Sequence, residues 1–281
     1  MSDRRLFLAH LTAIALGVRR AIPGDSLASI EQRLGGRLGV AVLDTHTDHT
    51  REYHEGERFP MCSTFKLLAA TAVLSRVDAG QEQLDRRIAY SESDLLEYAP
   101  VTRAHVSEGS MTLDDLCAAA IEQSDNTAAN LILGTLSGPS AITAYVRTLG
   151  DSVTRLDRTE PTLNDWHPGE ERDTTSPAAI LGDMRAILTG NVLSPTSRDR
   201  LTSWLVASTR GLARIRAGLP SGWRAGDKIG TGRGVSGDLA IAWPPGRRPL
   251  LFATYVVAPN ATDAQRDAAY ADVARFATGT V

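Results

Sequence analysis

The spacing of hydrophobic residues divides the chain into strands, then helices, then strands again. Residues 24–36, "GDSLASIEQRLGG", predict a helix that is capped by Asp25 and ends at Gly35-Gly36. Two predicted strands follow, "RLGVAVLDT" and "REYHEGERF", joined by "HTDH". From Met61 to about Ser208 the period is helical, in "STFKLLAATAVLSRV", "TLDDLCAAAIEQ", "NTAANLILGTL", "PSAITAYVRTLG", "SPAAILGDMRAILTG" and "SPTSRDRLTSWLVAS".

Strand patterns return in the last quarter of the chain. They are "WRAGDKIGTG", "GDLAIAWPP" and "PLLFATYVVAP", each bounded by glycine or proline, and "ATDAQRDAAYADVARFA" predicts a closing helix. Strands at both ends with helices between them predict one sheet built from the two ends of the chain. Since the connections are of hairpin length, the sheet is expected to be antiparallel.

The predicted fold class is therefore α+β: a five-stranded antiparallel sheet flanked by terminal helices, with an inserted all-α domain. The α/β domain is expected to comprise residues 24–58 and 209–281, and the all-α domain residues 59–208. A cleft between the two parts is the natural place for a small-molecule site.

The first 23 residues have a different pattern from the rest. "SDRRLFLAHLTAIALGV" places an arginine pair before about a dozen mostly apolar residues, which is too short a run to cross a bilayer. Arg4 and Arg5 resemble the start of a twin-arginine export signal, which predicts a periplasmic or secreted protein without a stable membrane anchor. The alternative is an amphipathic helix of the mature protein.

Composition narrows the class of partner. The 281 residues are 42% hydrophobic and 22% charged, with a net charge of −3, so nothing predicts a basic surface for nucleic acid. No repeat or low-complexity segment is present. Two cysteines, Cys62 and Cys117, do not make a disulfide scaffold. We expect a monomer that binds a small molecule.

Lysine occurs at two positions only, against twenty-eight arginines. Arginine stays protonated in proteins, whereas a buried or crowded lysine can lose its proton. Codon drift would explain the arginines, but two surviving lysines indicate two places where a compact ammonium or a neutral amine is needed. They are Lys66, in "MCSTFKLLAA", and Lys228, in "AGDKIGTG".

Ser63 and Lys66 are three residues apart at the start of a strongly apolar predicted helix. This spacing puts both side chains on one face, so the amine can reach the hydroxyl and activate it as a nucleophile. The backbone N–H of Ser63 at the helix start would also be free to face an oxyanion. Ser-x-x-Lys alone is a weak signal, but no other serine in this chain has a lysine three residues on.

Two further polar segments could join this pair. Ser124-Asp125-Asn126 lies in a break between two predicted helices, where it can project a hydroxyl and an amide, or simply cap the second helix. Lys228 lies on a predicted strand whose glycines would let a substrate lie along the strand edge.

The segment "RLDRTEPTLNDWHPGEERDTT" has neither helical nor strand period. Glu160 and Asn164 within it could hold a water molecule, with Glu160 as general base. Arg158 and Asp173 could pair across its base and close it as an Ω-loop over residues 158–173. A cis peptide bond after Glu160 has a small free-energy cost, because the next residue is Pro161. The alternative is a solvated acidic loop.

With these residues, the chain from about Asp25 to its end resembles the class A serine β-lactamases. The motifs that carry the resemblance are Ser-x-x-Lys, Ser-Asp-Asn and the Lys228 strand, together with "SDNTAANLI", "RLDRTEPTLN", "ERDTT", "RIRAG" and "GDK". The resemblance implies hydrolysis of a β-lactam amide by serine acylation and water-mediated deacylation, with neither metal nor cofactor.

The resemblance also implies a role for each matching residue. Ser63 would be acylated, Lys66 and Glu160 would share the role of base, and Ser124 would pass a proton to the lactam nitrogen. The amides of Ser63 and Thr231 would form the oxyanion hole. The remaining matches are substrate contacts or electrostatic groups, namely Tyr98, Asn126, Asn164, Arg214, Lys228, Gly230 and Thr231.

The chain departs from the family pattern at Ile229, where the family has a serine or threonine that donates to the substrate carboxylate. Losing a hydrogen bond to a charged group costs about 1.5 to 3 kcal/mol, roughly ten- to a hundredfold in kcat/KM. We expect Lys228, Thr231 and Arg214 to hold the carboxylate instead. The family disulfide partners would fall at Gly232 and Ala70, so neither cysteine can form that bridge.

Three other interpretations remain. The residues Asp44, His46, Asp48, His49 and His54 resemble a zinc-ligand set, although a polar hairpin turn explains them more simply. A cell-wall DD-peptidase would use the same serine and lysines, but it does not call for the Glu160–Asn164 pair. A penicillin-binding sensor or inactive relative would be acylated and turn over poorly.

Overall fold

The computed structural model describes residues 26–279 of the chain. Its α-helices are α1 (Leu27–Leu34), α2 (Phe65–Asp78), α3 (Pro100–Ala104), α4 (Leu113–Glu122), α5 (Asn126–Thr135), α6 (Ser140–Thr148), α7 (Pro177–Leu188), α8 (Pro195–Ala207), α9 (Ile215–Gly218) and α10 (Asp263–Thr278). Its strands are β1 (Arg37–Asp44), β2 (His49–Tyr53), β3 (Phe59–Pro60), β4 (Arg87–Ala89), β5 (Ser110–Thr112), β6 (Thr174–Thr175), β7 (Arg224–Gly232), β8 (Val235–Trp243) and β9 (Leu250–Val257).

Five strands from the two ends of the chain form one antiparallel sheet of order β2-β1-β9-β8-β7. β1 pairs with β9 along its whole length, from Arg37 opposite Val257 to Asp44 opposite Leu250. Strand β7 therefore lies at one edge of the sheet, paired only with β8 in this sheet. The α+β class and the five-stranded antiparallel sheet are confirmed.

Both faces of the sheet are buried, and alternate residues supply the two cores. Val40, Val42 and Phe252 point to the face covered by α1 and α10. Ala41, Leu43 and Leu251 point to the opposite face, where they join the larger core that contains α2. Strands β1 and β9 therefore read as nearly continuous apolar runs, as expected of strands covered on both sides.

Helix α2 lies at the centre of the larger core. All ten residues from Phe65 to Leu74 are buried, which explains why its sequence is apolar on every side. Because α2 is surrounded by protein, the side chains of its first turn are held in fixed positions.

Several boundaries differ from the predictions. The cap of α1 is Ser26, whose hydroxyl accepts a hydrogen bond from the Ser29 N–H at 3.1 Å; Asp25 lies outside the described residues. The second strand ends at Tyr53 because His54, at φ 49°, begins a turn closed by the Glu57 N–H. Phe59–Pro60 pairs instead with Thr174–Thr175, an association that no local pattern predicted.

Within residues 26–279, no helix combines the length and apolar character that crossing a membrane requires. The segment assigned to an export signal, residues 1–23, lies outside the described residues.

Candidate active site

Ser63 lies in a 3₁₀ turn, Cys62–Thr64, immediately before α2. The turn is fixed by the Thr64 hydroxyl, which donates to the Met61 carbonyl at 2.7 Å, and by Cys62 at φ 46°. Strand β7 packs directly against it: a Cβ added at Gly230 would lie 2.6 Å from the Met61 carbonyl oxygen and 3.0 Å from the Ser63 nitrogen. Gly230 is thus required for the close approach of the strand edge to Ser63.

Glu160 is the hydrogen-bond partner of the Ser63 hydroxyl. Ser63 Oγ donates to Glu160 Oε1 at 2.8 Å, and Lys66 Nζ lies 3.0 Å from the same carboxylate oxygen. The expected direct contact of Lys66 with Ser63 is therefore replaced by one in which both groups meet at Glu160. Lys66 is fully buried, and this burial lowers the pKa of its ammonium, against the opposing effect of the Glu160 charge.

Ser124 lies between the two lysines. Lys228 Nζ donates to Ser124 Oγ at 3.0 Å, and Lys66 Nζ donates to the Ser124 carbonyl at 2.8 Å. Ser124 has φ 59°, an unusual value for a non-glycine residue. Burial and the neighbouring Lys66 charge hold the pKa of Lys228 well below its usual range.

Within Ser124-Asp125-Asn126, the interpretation as a helix cap is confirmed for Asp125, while Ser124 and Asn126 contact the two lysines. Asp125 caps α5 by accepting from the Ala128 N–H at 2.9 Å, and its other oxygen accepts from the Val101 and Thr102 N–H groups. Asn126 instead accepts a 2.6 Å hydrogen bond from Lys66 Nζ. The cap fixes the turn that presents the two neighbouring side chains.

Glu160 is held from both sides. The Asn130 side chain bonds to its backbone twice, at 2.8 Å to the carbonyl and 3.0 Å from the N–H. Asn164 Nδ2 donates to Glu160 Oε2 at 2.7 Å, and the Glu160-Pro161 bond is cis. Asn130 was not predicted; its only sequence signal is its position in α5, four residues after Asn126.

The base of the Glu160 loop is closed as predicted by Arg158 and Asp173. Arg158 Nε donates to Asp173 Oδ2 at 2.5 Å, and Asp173 Oδ1 accepts from the backbone N–H groups of Asp157 and Arg158. Asp173 is 1% exposed. A buried carboxylate with three donors is a strong constraint on the two ends of the loop.

Arg214 is placed differently from the prediction, because it does not line the cleft. Its buried guanidinium ion-pairs with Asp267 at 2.9 Å and donates to the carbonyls of Gly230 and Gly237. A further donor reaches Thr231 Oγ1 at 2.7 Å. Arg214 therefore orients the Thr231 hydroxyl from behind instead of facing a ligand itself.

A cleft of about 250 Å³ opens in front of Ser63. Its walls are Ser63, Tyr98, Ser124, Asn126, Glu160, Asn164, Arg210, Ile229 and Thr231. Arg210 was not predicted as a lining residue, whereas Ile229 was singled out in the sequence as the position where the family has a hydroxyl that contacts the substrate. Lys66, Lys228, Arg214 and Gly230 lie behind this surface and act on it through the hydrogen bonds above.

Cys62 is not a second nucleophile. It is fully buried, and burial raises the pKa of its thiol to about 12, so the thiolate is not populated at neutral pH. Cys62 and Cys117 are both free, as expected from the glycine and alanine at the family partner positions.

The His- and Asp-rich segment near β2 makes ion pairs. Asp44 pairs with Arg247 at 3.0 Å, and Asp48 pairs with Arg185 at 2.9 Å. His54 Nδ1 lies 2.8 Å from Glu57. Within the described part of the chain, no three His, Cys, Asp or Glu side chains are arranged to hold a metal ion.

A serine hydroxyl on a carboxylate, with two buried amines and a neighbouring serine, is equipped for acyl transfer. The carboxylate can take the proton of the nucleophile, and the second serine can return one to a leaving group. Since Asn164 and Asn130 fix Glu160 in the cleft, the same carboxylate can also direct a water molecule at an ester.

Comparisons with known proteins agree with this chemistry. A sequence profile of the β-lactamase enzyme family matches residues 24–281. Beta-lactamase CTX-M-8 of Citrobacter amalonaticus is 45% identical over 255 residues, 90% of this chain and 87% of that protein. Beta-lactamase AST-1 of Nocardia asteroides is 47% identical over 249 residues, 88% and 78% respectively.

Solved structures are similar throughout the fold. An ancestral (GNCA) class A β-lactamase superposes with a TM-score of 0.88 at 54% identity, covering 91% of this chain and 98% of its own. A putative class A β-lactamase, PenP from Rhodopseudomonas palustris, superposes with a TM-score of 0.87 at 50% identity, covering 92% and 100%.

Proposed function

The chain belongs to the class A serine β-lactamases, and on that premise we propose that Ser63 attacks the β-lactam carbonyl and carries the opened substrate as an ester. The observation that carries the assignment is the 2.8 Å hydrogen bond from Ser63 Oγ to Glu160 Oε1. Nucleophile and base are in contact before substrate arrives, so the proton of the hydroxyl has a direct acceptor.

In the acylation step, Ser63 Oγ forms a bond to the lactam carbonyl carbon while its proton passes to Glu160 or, through it, to Lys66. Both residues are positioned for the role, because Lys66 Nζ is 3.0 Å from the carboxylate oxygen that Ser63 contacts. Burial lowers the pKa of Lys66, against the opposing charge of Glu160. The backbone N–H groups of Ser63 and Thr231 would stabilise the oxyanion.

When the ring opens, the lactam nitrogen leaves and needs a proton. Ser124 is the proposed donor, since its hydroxyl accepts from Lys228 at 3.0 Å and lies 3.4 Å from Lys66. Either ammonium can resupply the hydroxyl. The charge of Lys228 also favours binding of an anionic substrate near Ser124.

In the deacylation step, Glu160 removes a proton from a water molecule that attacks the ester, and Ser63 leaves with a proton returned by the same group. Asn164, which donates to Glu160 Oε2, would help to place this water. This fixed carboxylate favours a hydrolase over the DD-peptidase and sensor alternatives, because neither of these calls for it.

The remaining cleft residues are proposed as substrate contacts. Asn126 would meet the acylamide side chain, and Tyr98 would form the wall beside it. The strand edge at Gly230 and Thr231 would accept the substrate alongside β7, with the Thr231 hydroxyl held by Arg214.

Turnover of a chromogenic β-lactam by the purified protein tests the function. We expect multiple turnovers that are lost in Ser63→Ala and unchanged by a chelator. A lasting adduct on Ser63 without turnover would support the sensor, and cleavage of a D-Ala-D-Ala peptide without β-lactam turnover would support the peptidase.

We also propose the finer organisation of the chain. Residues 1–23 would act as a twin-arginine export signal, giving a periplasmic or secreted enzyme. Residues 24–58 with 209–281, and residues 59–208, would form the two domains of a monomer. Export in a strain lacking the twin-arginine pathway and light scattering of the purified enzyme test the two statements.

A further inference from the structure

The cations behind the cleft are engaged with the protein itself. Lys66 donates to Ser124 and Asn126 and pairs with Glu160. Lys228 donates to the Ser124 hydroxyl and the Ile229 carbonyl, and Arg214 donates to carbonyls, Asp267 and Thr231. All three side chains are buried and already have protein partners.

Arg210 differs from these three. It is an exposed residue in the segment between α8 and α9, and it lines the cleft. Its guanidinium carbon stands 5.4 Å from the centroid of the Tyr98 ring, and within residues 26–279 it makes no hydrogen bond or ion pair. Its five N–H donors therefore remain available to a ligand.

The contact between Arg210 and Tyr98 spans the mouth of the cleft. Tyr98 precedes α3 on the helical side and is held there by its hydroxyl, which donates to the Gln123 carbonyl at 3.1 Å. Its backbone carbonyl accepts from the Asn126 N–H. A cation on an exposed aromatic face is weakly held, whereas a guanidinium–carboxylate pair has charge and two parallel hydrogen bonds. An anionic ligand would draw Arg210 off the ring.

The opposite wall of the cleft, formed by β7, has few hydrogen-bond donors for a ligand carboxylate. Strand β7 presents Ile229 to the cleft, where its side chain offers carbon atoms only. Two residues further on, the Thr231 hydroxyl accepts from Arg214 and so has its own hydrogen free to donate. A carboxylate at this wall would have one neutral donor on β7 and needs another.

We propose that Arg210 leaves the Tyr98 ring on substrate binding and donates to the substrate carboxylate, which makes it a specificity-determining residue for anionic β-lactams. The inference rests on the proposed function. It assigns to Arg210 part of the affinity that a hydroxyl at position 229 would provide.

Arg210→Ala is tested on a chromogenic β-lactam and on the methyl ester of the same compound. We expect kcat/KM for the free acid to fall about five- to tenfold, mainly through a rise in KM, because an exposed charge-assisted bond is lost. The ester should show no change. Arg224→Ala is the matched control: it removes an exposed arginine from the Trp243 ring, 4.6 Å away, with the same change in net charge.

The salt dependence of KM is a second readout. In the wild type, KM for the acid should rise with sodium chloride, and Arg210→Ala should weaken that dependence. Equal losses on acid and ester, or a salt dependence unaltered by the substitution, would overturn the inference.

Coupling with position 229 completes the test. In an Ile229→Thr background the carboxylate gains a second donor, so Arg210→Ala should cost less than in the wild type. Full additivity would contradict a shared ligand group.

The two possible failures are distinguishable. If the wild type hydrolyses neither compound, the proposed function itself has failed. If the wild type hydrolyses the acid and Arg210→Ala has no effect, only this inference has failed.

Discussion

Two lysines in an arginine-rich chain lie on either side of one serine hydroxyl. Lys66 and Lys228 are 3.4 Å and 3.0 Å from Ser124 Oγ, and burial lowers the pKa of both amines. Arginine stays protonated in proteins, so it could not take the role in proton transfer that is proposed for Lys66.

Lys66→Arg should slow acylation about a hundredfold or more, since a group that handles the proton is replaced by one that cannot. Lys228→Arg should reduce acylation less, because its proposed role needs charge more than proton transfer. Single-turnover acylation rates measure both. Equal losses in the two variants would contradict this division of roles.

Ile229→Thr should raise kcat/KM about tenfold on a free-acid substrate, because it adds a hydrogen bond to a charged group. Ile229→Val keeps the β-branched shape without a hydroxyl and should leave kcat/KM unchanged. Steady-state kinetics decide the matter; no gain in the threonine variant would show that Ile229 is not a missing donor.

Residues that belong to motifs with a distinctive spacing were predictable. Residues whose partners are distant in the sequence were not. Ser63, Lys66, Ser124, Glu160 and Lys228 stand out in the sequence and meet in the structure. Asn130 and Arg210 were missed because each acquires its role from a partner far along the chain, Glu160 and Tyr98. Arg214 was found, but its direction could not be known before β7 and α9 were placed.

Among the elements, the loop that carries Glu160 depends on a single buried pair. Asp173 accepts from two backbone N–H groups and from Arg158, so both ends of residues 158–173 are tied at one carboxylate. This tie holds Glu160 against Ser63, although Glu160 itself lies in a segment without regular helix or strand.

Asp173→Asn should destabilise the enzyme by about 1–3 kcal/mol. The amide nitrogen of the asparagine would face the Arg158 guanidinium, or the guanidinium would lose its partner. Deacylation should slow more than acylation, since it depends on the position of Glu160 and its water. Denaturant unfolding and single-turnover kinetics measure the two effects. Glu170→Gln, in a partly exposed pair with Arg172 in the same loop, is the control and should alter neither.

A pair of buried carboxyl groups is formed by Asp183, on helix α7, and Asp151. Burial, followed by the charge of Asp151, raises the pKa of Asp183 to about 9. Asp151 also accepts from the Val153 and Thr154 N–H groups at 2.6 and 3.0 Å. Asp183 is therefore protonated at neutral pH.

The contribution of Asp183 to the stability of the enzyme should fall as pH rises from about 4 to about 9. In that window folded Asp183 keeps a proton that the unfolded chain, with a carboxyl pKa of about 3.9, releases. The slope from this group is at most about 1.4 kcal/mol per pH unit. Asp183→Asn mimics the protonated form and should flatten the profile in denaturant unfolding; the exposed Asp199→Asn should not. An identical slope in Asp183→Asn would contradict the assignment.

The long elements were predictable because their patterns are local. Helix α2 and strands β7, β8 and β9 appear within a few residues of their predicted positions. The short pairs β3–β6 and β4–β5 and the helices α3 and α9 were not predicted, because tertiary contacts stabilise them more than their own residues do.

At the scale of the whole molecule, the site exists because both chain ends build one sheet. Its edge strand β7 brings Lys228 and Gly230 to the start of α2, where Ser63 and Lys66 are fixed. The connections between helices contribute Ser124 and Glu160 from the other side. The alternation of strands and helices predicted this convergence, whereas its distances follow from packing across the sheet and could not be predicted.

The central claim is that Glu160 hydrolyses an ester formed on Ser63. Rapid-quench intact mass spectrometry of Glu160→Gln mixed with a β-lactam tests it most directly. The claim predicts one substrate mass retained per protein, mapped to Ser63 and decaying at least about a hundredfold more slowly than in the wild type. An adduct on another residue, or an ester that clears at the wild-type rate, would contradict it.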